Sequence, residues 1–128
     1  MVTFDQLILM KSQKHLGSEH HEVFRTKSGV VFQSDKERCL YLEFSGKKAK
    51  FKYPCLLRLK KTVESLNVEN MLINPQASDI EIVSISGCEH CYVLSALEII
   101  ALKELLQGAF VMFQLNHIIK DCLYRLVV

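Results

Sequence analysis

Twice along this chain the apolar residues change their spacing from every second position to every third or fourth, once after Tyr53 and again after Leu94. Side chains alternate between the two sides of a strand but return to one side of a helix every 3.6 residues. Two such switches require strands that end in a helix, followed by more strands that end in another helix. That order predicts an α+β fold built from antiparallel β-hairpins, each followed by a helix, with a long C-terminal helix. From His20 onward "HEVFRT", "VVFQS", "CLYLEF" and "AKFKY" are rich in β-branched and aromatic residues, and "KSG", "SDKE" and "SGK" between them are turn-like. These segments read as a four-stranded antiparallel meander.

Pro54 cannot donate to a ladder and suits the first turn of a helix. "CLLRLKKTVESLN" follows, with Leu56, Leu59, Val63 and Leu66 on one face and Asn67 placed to close the helix. Residues 68–78 read as a connection. "DIEIVSIS" then alternates, with Ile80, Ile82, Val83 and Ile85 as its apolar positions, and "CEHCYVL" returns after Gly87. Ser95 and Glu98 form a capping box, so a helix starts there and is expected to run to about residue 126. Lys103, Gln107, Gln114, His117, Asp121 and Arg125 make a narrow polar stripe along it. Near the N-terminus, residues 3–15 fit a short helix with Phe4, Leu7 and Ile8 on one face, and a strand over 2–10 fits as well.

A slide of 41 residues lays "LYLEFSGKKAKFKYPCLLRL" over "EIVSISGCEHCYVLSALEII" without a gap. Ser45-Gly46 falls on Ser86-Gly87, Phe51 on Tyr92, and Pro54 on the cap Ser95. The expectation is a single domain over residues 1–128, with a possible internal ββα repeat at 38–67 and 79–108. One such unit leaves an apolar face on both hairpin and helix, and two can cover each other.

The chain has 128 residues, about half of them hydrophobic, which suffices for a core without staples. No secretory signal is evident, since Asp5 precedes the first apolar run and no basic segment leads it. The longest uncharged stretch, residues 105–119, is too short and too polar to span a bilayer. Five cysteines, an odd number, include Cys39, Cys55 and Cys122 in apolar surroundings, as expected of buried reduced thiols. A cytoplasmic protein with no membrane association is the expectation. The net charge of +2 conceals +8 over residues 25–61 and −5 over residues 62–128. That asymmetry suits an anionic partner at the basic 36–61 region, or two surfaces that meet each other.

Four patterns could carry chemistry. Cys88 and Cys91 in "CEHC" have a metal-ligand spacing, but zinc needs four donors and no second pair accompanies them. Three residues apart on a strand, the two thiols face opposite sides, so no metal is expected and Cys88 with Cys91 stays an alternative. Lys47, Lys48, Lys50 and Lys52 could track phosphates. Lys48, Lys50 and Lys52 share one strand face while Ala49, Phe51 and Tyr53 share the other, so the strand itself separates its cations from the aromatics that stacked bases would need. His15, His20 and His21 are near one another in sequence but His20 and His21 alternate across a strand. His117 with Asp121 could pair one turn apart on the last helix. No catalytic or phosphate-binding motif is present in the sequence, so no cofactor and no catalytic residue is predicted.

The last helix has an apolar face too wide for one side of a small domain, and residues 96–126 are expected to pair with a second copy. Residues from about 30 to 120, through "LYLEFSGKKAKFKYPCLLRLKK" and "SALEIIALKELLQGAFVMFQLN", resemble small uncharacterised bacterial proteins of the Bacteroidetes type. That resemblance implies a cytoplasmic bacterial protein of no assigned activity and carries over no site residues. The function expected from the sequence is a non-enzymatic, homodimeric interaction or regulatory module. A nucleic-acid-binding domain using the basic 47–52 strand, or a small metal-binding domain, is the alternative.

Overall fold

The structure, a computed structural model, describes residues 20–85 and 90–127. The short helix expected over 3–15 and the turn at Ser86-Gly87, with Cys88, lie outside the described residues. The fold is α+β. Strands β1 (His20–Arg25), β2 (Gly29–Ser34), β3 (Cys39–Phe44) and β4 (Lys47–Phe51) form an antiparallel meander in that order. Helices α1 (Tyr53–Ser65) and α2 (Val68–Ile73) follow. Strands β5 (Ile80–Ser84) and β6 (Cys91–Ser95) pair as a separate antiparallel hairpin, and α3 (Ala96–Val127) completes the order.

The period-two pattern sorts the meander into an inner and an outer face. Val31, Leu42 and Ala49 lie opposite one another across β2, β3 and β4, and all three are buried. Leu40, Phe44 and Phe51 extend the same face. In β1 the register slips between Glu22 and Phe24. A bulge adds a residue to one strand and breaks the alternation. As a result Val23 and Phe24, though adjacent, both pack against the core.

α3 lies across the inner face, against β1, β2, β6, α1 and α2. Two glycines set how closely it approaches. A Cβ at Gly29 would collide with the Glu43 carbonyl and come within 2.9 Å of Leu105 Cδ2. A Cβ at Gly108 would collide with the Phe24 ring. Ile99, Leu102, Leu105, Leu106 and Ala109 close the core from the helix side.

Local signals mark the element ends. Pro54 sits in the first turn of α1, whose buried face is Leu56, Leu59 and Val63 as their spacing predicts. Tyr53, expected on the inner face of the strand, instead opens α1 and is half exposed. Asn67 does not close that helix. Its side-chain oxygen accepts from the Asn70 backbone N–H at 2.9 Å and so caps α2, within the stretch expected to be a connection. The capping box forms: Glu98 N–H donates to Ser95 Oγ at 3.3 Å, and Ser95 N–H donates to Glu98 Oε1 at 3.1 Å.

Both predicted ββα stretches fold as a hairpin followed by a helix, but the connections inside the hairpins differ in length. Phe44 pairs with Lys47 around Ser45-Gly46, both at positive φ (54° and 77°), as a tight type I′ turn requires. In the second hairpin the last pair is Ser84 with Cys91, which leaves residues 85–90 to make the connection. The gap-free slide therefore aligns β3 with β5 but places Lys47 on Cys88, short of the strand that begins at Cys91. Val83 on β5 and Ile85 just after it are buried, whereas Ile80 and Ile82 are exposed, Ile82 opposite Val93.

Candidate interaction surfaces

The hairpin β5–β6 meets the meander at β4. Lys47 Nζ donates to the Cys91 carbonyl at 3.1 Å and lies 4.6 Å from the centre of the Tyr92 ring. His90 Nε2 is 2.7 Å from the Lys50 carbonyl, and since a carbonyl only accepts, the ring carries its proton on Nε2. The same imidazole packs on Phe51 at 4.6 Å between centres. Lys47 and His90 of the two basic and thiol motifs thus hold strands together. The Tyr92 hydroxyl is buried without a hydrogen-bond partner among the described residues, and burial pushes it up to about 12.

Cys91 is exposed, and among the described residues no three His, Cys, Asp or Glu side chains come together as a metal cluster. Cys39 is buried and Cys55 half-buried, with the Cys39 thiol pushed up by burial. Cys122, expected in the core, is exposed on α3.

The lysine row stands on the outer face of the meander, where Lys48 and Lys50 are exposed. The aromatics missing from β4 on this face are supplied by its neighbours. Phe32 on β2 lies directly opposite Tyr41 on β3, and Tyr41 lies opposite Lys50 on β4. Lys48 Nζ sits 5.1 Å from the Tyr41 ring centre and 5.7 Å from that of Phe32. His20 stacks on Tyr41 with centres 4.8 Å apart and an angle of 26°. Tyr41 donates its hydroxyl hydrogen to Glu37, and Lys50 Nζ pairs with the same carboxylate at 3.1 Å. The Tyr41 hydrogen bond, then the Lys50 contacts, hold Glu37 down at about 2. Reading β4 alone hid this arrangement. The period-two phase of "VVFQS" and "CLYLEF", laid in meander register, would have shown it.

The third surface is the distal part of α3. Up to Phe113 the helix packs on the domain, with Phe110, Phe113 and Tyr53 forming an aromatic cluster at 5.1–5.8 Å. Beyond it, Gln114 to Ile119 are all exposed. Val111 (53% exposed), Leu115 (45%) and Ile118 (56%) recur with Cys122 along one side at spacings of four, three and four. His117 is on this segment, and the side chain of Asp121 lies outside the described residues.

Two shallow depressions of about 290 Å³ each open at the strand turns. One lies between hairpin and helix, lined by Ser28, Phe44, Ser45, Leu97, Glu98 and Ala101. Its carboxylate is already engaged, because Ser45 Oγ donates to Glu98 Oε2 at 3.1 Å while Ser95 occupies the other oxygen. Among the described residues no helix is long and apolar enough to cross a membrane. Compared with protein-family models, with curated proteins and with solved structures, the chain finds no match.

Proposed function

We propose that the protein is a non-enzymatic interaction module that works as a homodimer, with the distal half of α3 as its seam. The observation that carries this is the exposed row Val111, Leu115, Ile118 and Cys122, which starts on the packed part of α3 and continues past Phe113, where no described element covers the helix. A free helical segment of this length is marginal in water, and its stability comes from packing an apolar face. Spacings of four, three and four are those of a two-helix seam. A second copy offers the same row, and a two-fold pairing of identical rows is self-complementary. A cytoplasmic bacterial setting belongs to the same proposal, supported by the sequence resemblance and by the free thiols of Cys39, Cys55, Cys91 and Cys122.

Sedimentation at tens of micromolar tests it. A dimer is expected, converted to monomer by Ile118→Glu with the circular dichroism of the domain retained. A wild-type monomer at that concentration overturns the reading. A second reading gives the basic 36–61 region an anionic partner, with Lys47, Lys48, Lys50 and Lys52 as its contacts. Phe32 and Tyr41 on the lysine side of the sheet favour it.

A further inference from the structure

We infer that the outer face of the meander binds single-stranded nucleic acid, with Phe32 and Tyr41 as base-stacking platforms and Lys48 as the phosphate contact between them. The inference deepens the second reading of the basic region by naming its ligand and the side chains that select it. The described helices pack on the side of Val31, Leu42 and Ala49, so Phe32 and Tyr41 stand on the side that no described helix occupies. Directly opposed residues on neighbouring strands have Cβ atoms about 5 Å apart, close enough for consecutive bases of one strand. Both rings are half-buried, and aromatic stacking tolerates any base. His20 already demonstrates the geometry, since a planar ring lies on Tyr41 at 26°. A base could take that position.

Charge agrees with this occupant. Over residues 25–52, Lys and Arg outnumber Asp and Glu by eight to three. Two acidic groups near the platform are paired in place: Glu37 is held by Lys50 and Tyr41, and Glu22 by Arg25 at 2.7 Å. Glu43 lies opposite Lys48 in register but makes no ion pair with it. Lys48 Nζ lies 5.1 and 5.7 Å from the two ring centres and makes no ion pair among the described residues, so it can turn to a phosphate without breaking one of them. A duplex hides its base faces in the stack, so the platform selects single strands.

The probes are fluorescein-labelled dT20, U20 and a 20-base-pair DNA duplex, read by anisotropy on the full chain at two salt concentrations. The single strands are expected to bind more tightly than the duplex. Phe32→Ala and Tyr41→Ala should each weaken single-strand binding about ten-fold. Lys48→Gln should reduce the slope of log affinity against log salt by about one. Circular dichroism of each variant checks that the sheet is retained, and Phe32→Tyr, which keeps a ring, should restore binding. Equal binding of duplex and single strands, insensitive to Phe32 and Tyr41, would leave a merely anionic contact and overturn the stacking inference. No binding to any probe at low salt would remove both.

Discussion

The two halves of α3 are made of similar residues and meet opposite fates. Before Phe113, leucines at 102, 105 and 106 are fully buried against the sheet, while beyond it Leu115 and Ile118 stand in solvent. Helical periodicity is the same in both. The difference lies in what the rest of the chain places opposite: β1 and β2 run under the first half, and no described element covers the second. An apolar stripe therefore states that a helix needs a partner, and tertiary structure decides whether that partner is internal.

The sharpest way to break this comparison is to truncate one leucine in each half. Leu105→Ala should lower the unfolding free energy by about 2–5 kcal/mol in urea titrations, because it leaves a cavity between α3 and the sheet. Leu115→Ala at concentrations below association should change it by less than about 1 kcal/mol. Similar losses at both sites would mean that the distal half is packed within the monomer. A second measurement probes how closely the proximal half sits on the sheet. Gly29→Ala forces a methyl group against the Glu43 carbonyl and Leu105, and should cost about 1–3 kcal/mol. A smaller effect sharpens the comparison at the start of the helix: Ser95→Ala removes the cap of the proximal half and should cost about 1 kcal/mol, with no effect on association.

The smallest effect is a pH dependence at the same end. Hydrogen bonds from the Ser95 backbone, and then from the Ser45 and Ser95 hydroxyls, hold Glu98 below its usual 4.5. A carboxylate lowered in the folded state contributes stability above its ordinary value, and that contribution disappears as the pH falls through the lowered one. The stability gap between wild type and Glu98→Gln should therefore close on acidification below about 4.5. A gap that widens in acid would show that Glu98 does not act as an anion at the helix start.

Local signals were legible where one residue type has one physical use. Pro54, the Ser95–Glu98 box and the two changes of period fixed where α1 and α3 begin. Asn67 was ambiguous because the same amide can end one helix or cap the next, and α2 is too short to show a period. Cys122 looked buried because its neighbours are apolar, yet apolar neighbours on a projecting helix are themselves exposed. The surface of Phe32, Tyr41 and Lys48 was invisible for a different reason. Its members come from three strands, and only the register between strands puts them together. The bulge at Val23 was likewise hidden, since it breaks an alternation that the sequence itself suggests.

The contact between Phe24 and Gly108 also bears on the order in which the chain is made. A ribosome delivers the meander early and its hairpin pairings are local, so they can form as soon as they emerge. The helix that covers β1 appears only after three more strands, two helices and a second hairpin have been synthesised. Throughout that interval Phe24 on β1 and the inner face of β2 lack their α3 cover. The nascent protein is then a half-built sheet whose greasy side must be kept from its neighbours on the polysome until Gly108 arrives.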